Sequence, residues 1–336
     1  MATDLFQSEA WFALLLAHGF EQPPKHLPLP LAPGVCLQLM QQVPGEALSS
    51  LTNYYSCLYG PQGEWRGLSA AQWSAAATAM KKLPGGAVVR LQPLDAASPW
   101  VSGMEAGLRS AGYRTDRFFC FGNWYQPVPH GGFGAYWPER PSTLRNSVDR
   151  GRRRLDKAGI WRIDIHSQAS DALEGAIAAY EAVYSRSWKP PEPCREFMPG
   201  LIRLAASQGW LRLGVLWLND EPLAAQLWLV CEGKANIYKL AYVQGFEKLS
   251  AGSVLTTALM QHTMDVDGVS EVDYLSGDDA YKADWMALRR ERIGLVAFDR
   301  FRPKGWLAIA RHEAGKLKKR FSTLRSDLLR AFKAEA

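Results

Sequence analysis

The sequence predicts an α/β (α+β) protein of two units, the first an alternation of helices and strands and the second built on an antiparallel meander flanked by helices. Three observations carry this. The chain has 336 residues, beyond the size at which one hydrophobic core keeps growing. Segments of helical spacing alternate with segments of strand-like spacing along its length. Residues 211–218, 222–231 and 235–242 are apolar runs joined by Asn219-Asp220 and Glu232-Gly233-Lys234, short turns that fold consecutive strands into an antiparallel meander.

Taken in order, residues 4–18 place Leu5, Phe6, Trp11, Phe12, Leu15 and Leu16 at helical spacing. The proline-rich 22–34 reads as an extended connector, because proline fixes φ and lacks the N–H a helix needs. Residues 35–58 are mixed. Ser69 is placed to cap a helix that ends before Pro84-Gly85-Gly86. A strand over 87–94, a helix from Ser98 to Gly112 and a strand over 113–121 complete a first unit, residues 1–140. Its closing cluster, Asn123-Trp124-Tyr125, suits either a substrate cleft or packing against a neighbour.

Residues 141–159 hold Arg145, Arg150, Arg152, Arg153, Arg154 and Lys157 between Pro141 and Gly159, a basic helix bridging the two halves. A second unit, 160–303, follows: a strand at 160–166, helices near 170–186 and 195–207, the meander, a helix over 251–267, a strand at 271–275 and a last strand near 294–301. The tail, 304–336, puts Leu317, Phe321, Leu324, Leu328 and Phe332 on one helical face ringed by lysine and arginine. That face suits docking on the body, or peripheral contact with an anionic membrane.

Net charge is +6 and the isoelectric point is near 9.0, which suits a polyanionic ligand, an acidic membrane surface or nucleic acid. No helix-turn-helix, finger or ribonucleoprotein motif accompanies the charge, so nucleic acid is not the expected partner. The five cysteines, Cys36, Cys57, Cys120, Cys194 and Cys231, are widely spaced. They predict reduced, mostly buried thiols in a cytoplasmic protein and no metal site. The N-terminus has no signal-peptide pattern and no 18-residue apolar run appears. A serine or cysteine hydrolase is disfavoured: there is no Gly-x-Ser-x-Gly, and the six histidines are scattered.

Two stretches carry chemistry. Residues 242–255, Tyr242-Val243-Gln244-Gly245-Phe246-Glu247-Lys248-Leu249-Ser250-Ala251-Gly252-Ser253-Val254-Leu255, run from a strand through a small-residue turn into a helix. Free N–H groups and a partial positive charge at such a start suit a pyrophosphate, and Lys248 adds a point charge. Residues 276–285, Ser276-Gly277-Asp278-Asp279-Ala280-Tyr281-Lys282-Ala283-Asp284-Trp285, place three carboxylates, a phenol and an ammonium directly after an apolar strand. Asp278 and Lys282 could equally form an i,i+4 pair at a helix start, with Asp279 capping it.

Meander, turn, helix and strand in this order resemble the acetyl-CoA-binding half of the GNAT acyltransferase fold. Residues 155–300 resemble more closely its Fem-like branch, the CelD or cellulose-biosynthesis acetyltransferase family. There the later strand leads to Gly-Asp-Asp/Glu-x-Tyr-Lys-x-x-Trp, met here as Gly277 to Trp285. The first unit matches only as a degenerate second GNAT-like copy, so the resemblance implies two tandem GNAT-like units of mixed, mainly antiparallel sheets flanked by helices. One departure stands in the turn, where aligning Arg/Gln-x-x-Gly-x-Gly/Ala at Lys248 puts Ala251 and Ser253 at the glycine positions.

The resemblance implies an N-acyltransferase with acetyl-CoA or another acyl-CoA as co-substrate and no metal. The acyl group passes by direct attack of an amine, on a small molecule such as an amino sugar or on an envelope or exopolysaccharide precursor. Tyr242, Gln244, Lys248, Leu249, Ser250, Ala251, Gly252 and Ser253 would then hold the donor. Tyr281 would protonate the departing thiolate, Asp278 or Asp279 would accept the amine proton, and Lys282 would hold a phosphate or the oxyanion. Trp188, Asn123, Trp124, Tyr125 and Trp285 would line the acceptor cleft. The alternatives are aminoacyl transfer from charged tRNA to a peptidoglycan precursor, as Fem relatives perform, and an inactive scaffold of the same fold. The implied place is the cytoplasm, at or near the inner membrane face.

Overall fold

The computed structural model describes residues 4–316 and divides into two compact units. The larger gathers the residues up to Pro23, then Asn53–Cys57 and Cys120–Arg292. The smaller gathers Pro24–Thr52, Leu58–Phe119 and the residues from Ile293 onward. Both are α/β with mainly antiparallel sheets. The apolar stripe expected at 317–332 lies outside the described residues.

The chain opens in the larger unit with helix α1 (Glu9–His18), whose N-cap Ser8 accepts from the Trp11 N–H at 3.1 Å. It then enters the smaller unit. The proline-rich stretch, expected as a connector, is strand β1 (Lys25–Ala32), paired antiparallel with β2 (Val35–Gln41). β1 is an edge strand. Pro28 and Pro30 are two residues apart, so both missing N–H groups fall on one side of it, which an edge strand can leave unpaired. A short β3 (Leu48–Ser50) precedes α2 (Ala70–Met80). Here Ser69 and Gln72 close a reciprocal capping box. Next come β4 (Val88–Asp95), α3 (Pro99–Ser110) and β5 (Tyr113–Pro127). β5 runs on past the expected end at 121, so Asn123, Trp124 and Tyr125 lie within a strand.

The rest of β5 returns the chain to the larger unit. A one-turn α4 (Gly132–Tyr136) leads to the basic helix α5 (Ser142–Ala158). Leu144, Val148, Gly151 and Leu155 form its buried stripe, and most of its arginines are exposed, as an amphipathic surface helix requires. Strand β6 (Trp161–His166) and helices α6 (Leu173–Ser185) and α7 (Phe197–Ser207) follow. The meander forms as β7 (Leu211–Leu218), β8 (Glu221–Cys231) and β9 (Lys234–Tyr242). Asn219, Asp220, Glu232 and Gly233 all take positive φ, the backbone that two-residue hairpin turns demand.

Helix α8 (Ala251–Gln261) ends earlier than expected, in a π-helical turn at His262–Val266. Strand β10 (Glu271–Asp273), the four-residue helix α9 (Lys282–Trp285) and β11 (Leu288–Asp299) follow, and residues 303–316 are helical. β11 begins earlier than the strand expected at 294. In the larger unit the strand order is β5-β10-β9-β8-β7-β6; in the smaller, β1-β2-β3-β4-β11-β5.

The larger sheet opens at one point. β10 runs parallel to β9 but pairs with it over three residues only, ending at Asp273 opposite Asn236. β9 continues to Tyr242, while Leu275 takes a left-handed φ of 54° and turns the other chain away. The two strands diverge and leave a wedge.

In the smaller unit α2 and α3 cross at a glycine: a Cβ on Gly107 would lie 2.6 Å from the Trp73 carbonyl carbon and oxygen. Helix propensity alone makes Gly107→Ala stabilising by up to about 1 kcal/mol. Overpacking should reverse the sign and cost about 1–3 kcal/mol. A lower urea midpoint for the variant is expected; a raised one would show that α2 yields without cost.

Candidate active site

Two cavities occupy the wedge. One, of about 470 Å³, is lined by Thr143, Ser147, Gln226, Tyr242, Gly252, Ser253, Thr256 and Trp285. The other, of about 280 Å³, is lined by Tyr54, Tyr55, Cys57, Lys189, Lys239, Ser276, Asp279 and Lys282. Trp188, Leu240, Tyr274 and Tyr281 belong to both walls, so the cavities meet at these four side chains.

The larger cavity sits at the start of α8. Ser250 turns the chain into the helix with φ 50° and ψ 32° and gives no side-chain cap. The first-turn amides of Ala251, Gly252 and Ser253 therefore point along the helix axis with the positive end of its dipole. Four hydrogen bonds and one close approach fix this turn. The buried Gln226 amide donates to the Gly252 carbonyl at 2.9 Å and to Thr256 Oγ1 at 2.8 Å, and its oxygen accepts from Trp228 Nε1 at 2.9 Å. Arg154 of α5 donates to the Lys248 carbonyl at 2.5 Å. Gly151 lets α5 approach, since a Cβ there would stand 2.8 Å from the Leu249 carbonyl oxygen.

The smaller cavity is polar and holds three lysines. Lys239 donates to Glu192 at 2.7 Å and lies over the Tyr54 ring. Lys282, buried, donates to the carbonyls of Ser276 at 2.6 Å and Gly277 at 3.2 Å, with Asp279 at 3.5 Å. It pins the loop that carries Asp279 and Tyr281. Burial pushes the Cys57 thiol up to about 11, so it is not a thiolate nucleophile at neutral pH. Tyr281 packs edge-on to Tyr274 at 5.9 Å. Burial, with Asp279 adding to it, pushes its phenol up to about 12. It stays protonated across the physiological range.

The other residues singled out from the sequence divide by location. Gln244, Lys248, Leu249, Ser250 and Ala251 build the turn beside the larger cavity; Gln244 and Lys248 are exposed. Trp285 is buried in the wall of the larger cavity and does not line the smaller one. Asp278 lines neither cavity. It pairs with Arg289 at 2.6 Å and accepts from Trp124 Nε1 at 3.0 Å, and Arg289 holds its carboxyl below the usual range. The expected Asp278–Lys282 pair is thus replaced by Asp278–Arg289 and Asp279–Lys282.

Asn123, Trp124 and Tyr125 line neither of these two cavities. Asn123 is buried, donating to Asp273 at 2.5 Å and to the Leu275 carbonyl at 2.9 Å. Tyr125 lies under Arg290 at 4.1 Å. Of the five cysteines, all free, Cys57 is buried and the other four are partly exposed, fewer buried than expected.

Comparison with known proteins agrees with this architecture. Residues 142–283 match the acetyltransferase (GNAT) domain family. The chain carries a GNAT domain. FemX shares the fold at a TM-score of 0.64 and 10% identity, over 90% of this chain and 94% of FemX. L-PGS from Bacillus licheniformis gives 0.56 and 13%, again over 90% and 94%. The C-terminal domain of a protein from Agrobacterium fabrum assigned as a lysylphosphatidylglycerol synthetase gives 0.56 and 15%, with the same coverage. No curated protein matches the chain in sequence. Among the described residues there is no group of side chains suited to a metal ion and no helix long and apolar enough to cross a membrane.

Around the two cavities lie residues that the sequence did not single out: Thr143 and Ser147 on α5, Gln226 on β8, and Lys189, Glu192 and Lys239 around the smaller cavity. Thr143, Ser147 and Arg154 share one helical stripe, i, i+4 and i+11, and that spacing could have flagged them. Gln226, in an otherwise apolar strand, was the other legible signal.

Gln226→Leu removes, in a buried setting, the acceptor of Trp228 Nε1 and one donor each to the Gly252 carbonyl and Thr256 Oγ1. It should cost about 1–3 kcal/mol and speed hydrogen exchange at residues 251–253. Unchanged exchange there would show that Gln226 does not hold the turn.

Proposed function

We propose that this chain transfers an acyl group from an acyl-CoA, acetyl-CoA in the simplest case, to an amine by direct attack. The observation that carries the reading is the meeting of the two cavities at Tyr281. The larger has the helix start suited to a pyrophosphate and would take the donor; the smaller, polar one would take the amine. The thioester would then lie at the shared wall formed by Trp188, Leu240, Tyr274 and Tyr281.

Attack forms the N–C bond, breaks the C–S bond and moves one proton from nitrogen toward sulfur. Asp279 is the carboxylate facing the smaller cavity and is the acceptor for the amine proton, directly or through water. Tyr281, protonated at neutral pH, donates a hydrogen bond to the sulfur as negative charge develops on it. With its phenol raised, full proton transfer to a thiolate of pKa near 8.5 is uphill. Its contribution is therefore electrostatic, and bulk water supplies the proton. Lys282 holds the loop, and Asp278 anchors it through Arg289 and Trp124.

A second reading is an aminoacyl-tRNA donor of the Fem-like kind. The FemX-like fold over 90% of the chain and the exposed Arg150, Arg152 and Arg153 of α5 favour it. We read the smaller unit as a degenerate second GNAT-like copy and the whole as CelD-like. The place of action would be the cytoplasm, with the acceptor a small amine or an envelope precursor.

Thermal unfolding of the chain with acetyl-CoA, longer acyl-CoAs or aminoacyl-tRNA separates the readings. A rise with CoA esters supports the acyl-CoA reading, a rise with aminoacyl-tRNA alone replaces it, and no rise with either favours a scaffold. Tyr281→Phe should lower kcat by about 10²-fold and leave the donor KM unchanged; an unchanged kcat removes the phenol from the mechanism.

A further inference from the structure

Charge in the smaller cavity is not balanced. Lys189, Lys239 and Lys282 face Asp279 in its wall and Glu192 behind Lys239. Three ammoniums thus meet two carboxylates. Lys239 is satisfied by Glu192 at 2.7 Å and Tyr54 Oη at 3.2 Å. Lys282 is satisfied by two backbone carbonyls and Asp279. The Lys189 ammonium has neither a hydrogen bond nor an ion pair among the described residues. It sits 5.8 Å from the Trp188 ring centre and 5.9 Å from that of Tyr184. An unpaired, half-buried cation beside two others is costly to keep, and an anion arriving with a ligand would relieve it.

We propose that this cavity is built for an amine acceptor that also carries an acidic group, a carboxylate or a phosphate, and that Lys189 is the residue that pairs with it. This rests on the reading of the smaller cavity as the acceptor site and narrows the acceptor to a zwitterionic or phosphorylated amine.

Position supports the assignment. Trp188 belongs to the wall that the two cavities share, and Lys189 follows it in the chain. An acid held by Lys189 therefore anchors the acceptor close to the shared wall. Lys189 also lines a neighbouring open cavity of about 610 Å³, with Tyr180, Tyr184, Pro191 and Met198, where the remainder of a larger acceptor has room. Burial, then repulsion from Lys239, lowers the Lys189 ammonium to about 8. The group is thus still mainly charged at neutral pH and gains from a counter-ion.

The test is calorimetric binding to the full chain with no CoA present, using two matched pairs. Glucosamine 6-phosphate against glucosamine tests phosphate; alanine against alaninamide tests carboxylate. In at least one pair the acidic member should bind tenfold or more tightly than its neutral partner, and the pair that responds names the acid. Lys189→Met should reduce that preference to about one, and Lys189→Arg should keep most of it. Lys189→Gln serves the same purpose as Lys189→Met if the latter does not fold. No preference in either pair, or a preference that survives loss of the lysine charge, overturns the proposal. Because no donor is present, the outcome stands whether or not acyl-CoA is the donor.

Discussion

The wedge between β9 and β10 depends on one buried carboxylate, Asp273. It is 1% exposed and sits where β10 stops. It accepts from the Leu275 N–H at 2.6 Å and from Asn123 Nδ2 at 2.5 Å, and it is paired with Arg290, with Arg292 at 4.0 Å. Burial pushes such a group toward its neutral form, but Arg290 and Arg292 outweigh it and hold the carboxyl below its usual range. The bond to the Leu275 amide favours the left-handed turn that ends the strand pairing. Breaking a buried pair of this kind typically costs about 3–5 kcal/mol, so the split between the strands is firmly enforced.

The chemistry follows from that split. Once β10 leaves β9, the loop it carries, pinned by Lys282 and by the Asp278–Arg289 pair, brings Tyr281 and Asp279 opposite the far end of β9. From the other side α8 presents its first turn, fixed by Gln226 and Arg154. On the proposed reading, the donor side is thus mainly backbone and dipole, while the acceptor side is side-chain charge. That asymmetry suits a common donor and a selective acceptor.

What the sequence discloses is what is local. Asn219, Asp220 and Gly233 declare their turns because these residue types tolerate positive φ, and Glu232 is carried into the second turn by its neighbour Gly233. The 276–285 run is conspicuous because its polarity follows an apolar strand directly. Lys189, Glu192 and Lys239 are invisible as a group, since a loop before α7 and the middle of β9 meet only through tertiary packing. Asn123, Trp124 and Tyr125 mislead for the opposite reason. Their polarity suggests a cleft, whereas Asn123 serves the buried Asp273 network, Trp124 caps Asp278 and Tyr125 supports Arg290. Pro28 and Pro30 read as a connector because sequence does not reveal that a strand lies at a sheet edge.

The most direct test of the account is a crystal structure of the chain with CoA bound. Pyrophosphate oxygens are expected on the amides of residues 251–253, and the thiol sulfur within hydrogen-bond reach of the Tyr281 hydroxyl, between the two cavities. CoA bound outside the wedge, or with its thiol remote from Tyr281, would contradict it.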